Sequence, residues 1–177
     1  MENPVVEVLE IIKKRRSIRE YKTKPVENEK INKVLEAARL APSANNQQPW
    51  HFILVTKPEA KESLRASFKP ERQWLMQAPA IIVACADPKK AWKRNDGEEY
   101  WKVDAAIAMQ NLVLAATELG LGACWIAVFN EKAVKKTLNI PKHIRVVAMT
   151  PLGYPDEDKG PVTDRKTLNE IVHFEKW

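Results

Sequence analysis

The amino-acid sequence predicts a single domain of mixed helix and strand, spanning residues 1–177 and organised around one long buried helix. Three observations carry that expectation. The chain is 177 residues long and 45% apolar, which fits one domain with a sizeable core. The stretch from Tyr100 to Leu119 is apolar on most sides, as a helix at the centre of a core is. Ala80 to Ala86 is an unbroken run of apolar, β-favouring residues, the pattern of a strand covered on both faces.

The remaining elements follow in order. Val5, Val8, Leu9 and Ile12 recur at helical spacing and predict an amphipathic first helix from Val5 to Lys14. Pro25 marks a connector, and Asn28 is the expected N-cap of a second helix with a buried stripe at Ile31, Val34, Leu35 and Ala38. Pro42 stops that helix. The loop Ala41 to Trp50 is stiffened by Pro42 and Pro49 and presents a hydroxyl, side-chain amides and an indole, a good surface for a polar, planar ligand. His51 to Thr56 reads as a strand, Pro58 suits the first turn of a third helix reaching about Phe68, and Glu71 to Gln77 reads as a short helix. Asp87 to Gly97 is loop-like. Beyond the long helix, Gly120 and Gly122 suit its cap and the following turn. Ala123 to Phe129 is an expected buried strand, Glu131 to Asn139 a helix, and Ile144 to Leu152 a last central strand. The tail from Leu168 to Trp177 carries Val172, Phe174 and Trp177, apolar groups that should pack against another surface such as a second subunit.

Composition narrows the function classes. The apolar run from Ala105 to Leu121 is broken by Gln110, Asn111 and Glu118, so it reads as a buried soluble helix and no membrane span is expected. No basic leader followed by an apolar segment opens the chain, so no secretory signal is expected. Cys85 and Cys124 lie in separate apolar runs without metal-ligand or CxxC spacing, the usage of small core residues in a reduced cytoplasmic setting. His51, His143 and His173 are isolated, so no metal site is expected. The net charge of +6 comes largely from lysines scattered among glutamates. A basic module for nucleic acid or other anions is the alternative, but no stripe of interleaved aromatic and basic residues supports it. Trp74, Trp92, Tyr100 and Trp101 suit a core or interface, or else an aromatic wall over a substrate.

The exception to scattered charge is the cluster Lys13, Lys14, Arg15, Arg16, Arg19, Lys22 and Lys24. Its centre, Arg15-Arg16-Ser17-Ile18-Arg19, puts three guanidiniums and a hydroxyl within five residues, a set able to grip a phosphate through forked, charge-assisted hydrogen bonds. It also suits a solvated basic helix end. Neither GxGxxG nor GxxxxGK[ST] occurs, so a phosphate held here must rely on side chains. Arg165, in the late loop Pro161 to Lys166, is a second candidate grip.

Four segments, taken together and in order, carry a resemblance. They are Arg15 to Arg19; Pro42-Ser43-Ala44-Asn45-Asn46-Gln47-Gln48-Pro49-Trp50; Gly120-Leu-Gly-Ala-Cys-Trp-Ile-Ala127; and Pro151-Leu-Gly-Tyr-Pro155 followed by Arg165 and the tail ending at Trp177. From about residue 8 onward the chain resembles the FMN-dependent nitroreductase family. The resemblance implies a three-layer α-β-α fold of the α+β class, with a central, mostly antiparallel sheet. It also implies an intertwined homodimer in which the C-terminal tail packs on the partner and two FMN molecules sit at the subunit interface. Carried over by position, Arg15 would contact the FMN phosphate, Ser17 the phosphate or ribityl chain, Arg16 would act chiefly through its backbone, and Arg19 would approach the pyrimidine edge. Ser43, Ala44 and Asn46 would come from the opposite subunit, Trp125, Ile126 and Ala127 would line one face of the flavin, and Arg165 would complete the phosphate site. Ala127 stands where many members carry glycine, and Thr163 where some carry a second phosphate-binding lysine.

The implied activity is an oxidoreductase that passes reducing equivalents from NADH or NADPH to nitroaromatic, quinone or related electron-poor small molecules by ping-pong turnover, the cofactor carrying the chemistry. Other flavin reactions on the same fold, such as reductive dehalogenation or a biosynthetic dehydrogenation, are the alternative.

Overall fold

The protein is described by a computed structural model covering residues 7–177; Val5, at the expected start of the first helix, lies outside the described residues. Ten regular elements follow in the order α1 (Val8–Lys14), α2 (Asn28–Arg39), β1 (Trp50–Val55), α3 (Pro58–Leu64), β2 (Ala80–Ala86), α4 (Trp101–Glu118), β3 (Gly122–Ala123), α5 (Glu131–Thr137), β4 (Arg145–Gly153) and α6 (Leu168–Ile171). The strands make one antiparallel sheet in the order β1-β2-β4-β3.

Every residue of β2 is buried because both faces of the sheet are covered. Ala80, Ile82 and Ala84 face a core shared with Val34 and Ala38 of α2 and with Ala108, Leu112 and Ala116 of α4. Ile81, Val83 and Cys85 face a second core with Leu64 of α3, Leu75 and Val134 of α5. Side chains of successive strand residues point to opposite faces, so an all-apolar strand needs two covering layers. The result is the three-layer α+β architecture. Small residues in α4 let it lie close to both α2 and the sheet, and its end is closed by a Schellman motif. Gly120 takes φ +73°, Leu121 N–H donates to the Ala116 carbonyl at 2.8 Å, and Gly120 N–H donates to that of Thr117 at 3.1 Å.

Four elements differ from the sequence expectation, each for a local reason. The residue capping α2 is Glu27, one position before Asn28, and its side chain makes no cap bond; the carboxylate accepts instead from the Tyr154 hydroxyl. The third helix stops at Leu64 and gives way to a 3-10 turn, Arg65–Ser67. Pro70–Gln77 is likewise a 3-10 stretch rather than an α-helix. The buried strand expected from Ala123 to Phe129 is reduced to β3, whose pairs are Gly122 with Gly153 and Ala123 with Leu152. It stops there because the Cys124 N–H donates to the Thr150 side chain at 3.0 Å, leaving the backbone ladder, and only Ile126 rejoins β4, opposite Met149.

Gly122 matters for close approach. A Cβ at this position would lie 2.8 Å from the side chain of Ile18, which crosses directly over it. Gly122→Ala is therefore expected to cost about 1–3 kcal/mol through overpacking. Thermal unfolding checks this, at roughly 2–4 °C of melting temperature per kcal/mol for a domain of this size; an unchanged melting temperature would show that Ile18 shifts freely.

Candidate functional site

The basic segment after α1 is fixed along its backbone. Ser17 forms a parallel bridge with Ala123, and the Ile18 N–H donates to the Ala123 carbonyl at 3.0 Å, extending the sheet beyond β3. Ile18 and Tyr21 are buried together with Ala78, and the Tyr21 hydroxyl donates to the Ile18 carbonyl. Burial pushes the Tyr21 phenol up from its ordinary pKa, so it stays a neutral donor. Beyond it, Lys22 N–H donates to the Tyr154 carbonyl at 2.9 Å, and Asp156 N–H to that of Glu20 at 3.0 Å.

Two side chains from the turn that follows β4 lock the same segment. Glu157 accepts from the backbone N–H of Arg19, and Lys159 Nζ donates to the Ser17 carbonyl at 2.8 Å while lying 2.9 Å from Glu157. Burial raises the pKa of the Glu157 carboxyl, but the Arg19 N–H and the Lys159 ammonium outweigh that effect and hold it below the ordinary carboxylate value. Neither residue stood out in the sequence, where Glu157 and Lys159 are two charges in a polar turn; the only signal was their place just after the Pro151–Pro155 segment.

Arg15, Ser17, Trp125 and Arg165 meet in a cleft of about 890 Å³. Ile12 and Lys13 of α1 line one side, with Lys13 tied to Glu10 at 2.8 Å, and Pro161 and Val162 line another. Trp125 is 37% exposed and forms a wall, held between two anchored neighbours. Cys124 is bonded to Thr150, and Ile126 exchanges two backbone bonds with Met149 at 2.8 and 2.9 Å. Gln110 of α4 also reaches the cleft, although in the sequence it is only a polar interruption of an apolar helix.

The positive charge of this cleft is not balanced by carboxylates in its lining. Arg39, Arg65, Arg94 and Arg145 are each paired with a carboxylate at 2.6–2.9 Å. Among the described residues, no carboxylate makes an ion pair with Arg15, Arg16 or Arg165. Arginines brought together without counter-charges repel one another, and an anion bound between them by charge-assisted hydrogen bonds relieves that repulsion.

The other expected site residues lie elsewhere. Arg16 is half-buried and does not line the cleft. Arg19 lines a neighbouring cleft of about 430 Å³ with Trp74 and Gln77, its guanidinium carbon 6.0 Å from the centre of the Trp74 ring. Ile126 is buried and Ala127 exposed, and neither lines the Arg15 cleft. Ser43, Ala44 and Asn46 belong to the loop between α2 and β1 and are likewise absent from its lining within one chain. That loop is tightly wound. Asn45, Asn46 and Gln48 take φ of 50°, 55° and 49°, a left-handed conformation that favours asparagine among non-glycine residues. Gln48 N–H donates to the Ser43 hydroxyl at 2.9 Å, and Ala44 N–H donates to Asp104 at 3.0 Å.

Another cavity, of about 370 Å³, lies beside β1 with a mainly apolar lining that includes Ile53, Ile140 and Ile144, together with His51 and His143. No group of three or more metal-ligating side chains gathers there or elsewhere among the described residues. Both cysteines are buried and free, and burial pushes the Cys85 thiol up to about 12, leaving it unreactive. Trp92 and Tyr100 pack edge-on against each other at 4.9 Å, while Trp101 is buried in the core.

Comparison with known proteins places this geometry. The sequence pattern of the nitroreductase family matches residues 12–73 and 69–154. A protein of Archaeoglobus fulgidus that carries a provisional NADH dehydrogenase/NAD(P)H nitroreductase name is 40% identical over 176 residues, covering 97% of this chain and 99% of its own. The solved structure of an FMN-dependent nitroreductase from Clostridium difficile R20291 is 37% identical, with a TM-score of 0.83 over 96% of this chain and 99% of that one. A nitroreductase family protein from Clostridium difficile 630 is 32% identical, with a TM-score of 0.86 over 98% and 100% of the two chains. Three covered layers, a basic segment zipped to β3 and full-length likeness at these identities lead to one conclusion: the chain belongs to the nitroreductase family of oxidoreductases.

Proposed function

We propose that the protein binds FMN and transfers reducing equivalents from NADH or NADPH to nitroaromatic, quinone or related electron-poor small molecules, in ping-pong fashion. The observation that carries this reading is the meeting of Arg15 and Arg165, both without carboxylate partners among the described residues, in a cleft walled by Trp125. A cleft of about 890 Å³ is in the range of small-molecule and cofactor sites, and its polar groups are the donors a phosphomonoester needs.

In this reading Arg15 and Arg165 hold the phosphate, and the Ser17 hydroxyl donates to it or to the ribityl chain. Arg16 contributes its backbone, fixed by the pairing of its neighbours with β3. Arg19 places a cation near the pyrimidine edge, and Trp125, Ile126 and Ala127 bound one face of the ring. Bound flavin supplies the two-electron chemistry. The chain supplies position, positive charge and exclusion of water. Among the described residues, the cleft lining contains no imidazole or carboxylate, which suits a reaction needing no side-chain acid or base.

Ser43, Ala44 and Asn46 serve the site of a second subunit in the same reading. Their absence from the lining of the Arg15 cleft within one chain supports a homodimer. So do the exposed apolar residues Val8, Leu9 and Ile12 of α1, and a tail in which Phe174 is 85% and Trp177 102% exposed. β1 is an outer strand of the sheet with an edge free to be covered by a partner's tail. Among the described residues no helix is long and apolar enough to cross a membrane, and buried free thiols suit the cytoplasm.

A visible spectrum tests the proposal directly. Purified or FMN-reconstituted protein is expected to show the bands of oxidised flavin and to lose them when NADH or NADPH is added without air; a colourless protein that takes up no FMN contradicts the reading. In Arg15→Ala, loss of a charge-assisted bond worth about 1.5–3 kcal/mol should weaken FMN binding by roughly 10- to 100-fold with the circular dichroism unchanged. Equal FMN affinity in that variant would remove Arg15 from the phosphate site. Removing the tail after Lys166 should shift the protein toward monomer in sedimentation and release flavin with it, whereas a dimer of unchanged stability would exclude the tail from the interface.

A further inference from the structure

The wound loop between α2 and β1 is held from behind by a carboxylate of the central helix. Asp104, in the first turn of α4, is 1% exposed, and its Oδ1 accepts from the Ala44 N–H at 3.0 Å. Among the described residues, this is the one hydrogen bond made to Ser43–Gln48 by a side chain outside that loop. The other oxygen, Oδ2, is buried without any partner among them. A carboxylate placed in a core with half its acceptor capacity unused is a poor way to stabilise a helix, because burial without full hydrogen bonding disfavours the charged form. Burial accordingly raises its pKa from the ordinary value, with the Ala44 N–H acting in the opposite direction.

What the carboxylate does accomplish is local. Ala44 directly precedes Asn45 and Asn46, which carry positive φ, and Gln48 repeats that conformation. Such backbone persists only where its surroundings hold it. Within the loop, Asn46 N–H donates to the Ser43 carbonyl at 2.9 Å and Gln48 N–H to the Ser43 hydroxyl at 2.9 Å, so these bonds wind the segment without attaching it to the core. The bond from Asp104 supplies the attachment, between a rigid buried helix and the residue where the winding begins.

We propose that Asp104 is a positioning residue, whose buried carboxylate anchors Ala44 and thereby presets the Ser43–Gln48 loop for ligand contact. The inference rests on the reading above that this loop serves a flavin site, in the partner subunit. α4 of one protomer would then organise both sites: Gln110 reaches its own chain's cleft, and Asp104 shapes the loop offered to the other.

Three variants of the full-length protein test it by two readouts. Asp104→Asn keeps an oxygen that can accept from Ala44, whereas Asp104→Ala and Asp104→Leu do not. Hydrogen exchange at the Ala44 amide, measured without flavin, is expected to speed up by about tenfold or more in the Ala and Leu variants, the loss of one hydrogen bond, and to stay within about twofold of the unmodified protein in the Asn variant. FMN affinity should fall in parallel, by about tenfold, and be retained in the Asn variant. Slow Ala44 exchange in a folded Leu variant overturns the anchor, and an Asn variant as impaired as Leu overturns the hydrogen-bond assignment. Should the Ala and Leu variants not fold, fast Ala44 exchange in the Asn variant or in the unmodified protein still overturns it. If the unmodified protein takes up no FMN, the flavin reading fails while the exchange arm continues to report on Asp104.

Discussion

The bond from the Ile18 N–H to the Ala123 carbonyl, made over a glycine at 122, is the contact on which the site depends. It turns the basic connector into a fifth, sheet-like edge, and fixes Arg15 and Ser17 relative to Trp125 through one short stretch of backbone. The contact has few alternatives. Ile18 is buried, so the segment cannot slip by one residue without exchanging an apolar side chain for the polar Ser17 or the charged Arg19. Glu157 and Lys159 then secure the backbone on the outer side with charged groups that satisfy each other. β3 is short for a related reason. The chain leaves the ladder at Cys124 by donating to Thr150, and that departure leaves Trp125 exposed at the cleft.

The distribution of charge follows from this geometry. Arg39, Arg65, Arg94 and Arg145 are paired with carboxylates at the surface, where such pairs contribute little to stability. Arg15 and Arg165 are brought together from opposite ends of the chain without such partners among the described residues. A sheet edge and a late loop thus bring two guanidiniums to one cleft. In the proposed reading both contact one anion, and the indole and apolar walls nearby suit an anion attached to a ring.

Much of the fold is legible in the sequence because its signals are strong and local. The apolar β2 requires two covering layers, α4 is apolar on most sides, and Gly120 sits where a helix end needs a left-handed residue. Weaker signals mislead where side chains compete with the backbone. Ala123 to Phe129 is apolar enough for a strand, yet a hydroxyl on β4 takes its ladder donor; Asn28 is a good cap residue, yet the helix begins one residue earlier. At the site, Arg15, Ser17 and Arg165 are legible as donors by residue type. Gln110, Glu157, Lys159 and Asp104 are not, since each matters through a partner far away in sequence: the cleft, Arg19 and Ser17, and Ala44. No local pattern marks such pairings.

In the proposed dimer the phosphate grip and the wound loop serve one site from two subunits. Mixed dimers test it most directly, formed from an Arg15→Ala protomer and a Ser43→Ala/Asn46→Ala protomer carrying different affinity tags. A shared site leaves one intact combination, the arginine of the second protomer with the loop of the first. One tightly bound FMN is expected per mixed dimer, while each variant homodimer binds FMN weakly. Mixed dimers with no tight site, beside homodimers equally impaired, would place grip and loop in the same subunit and contradict it.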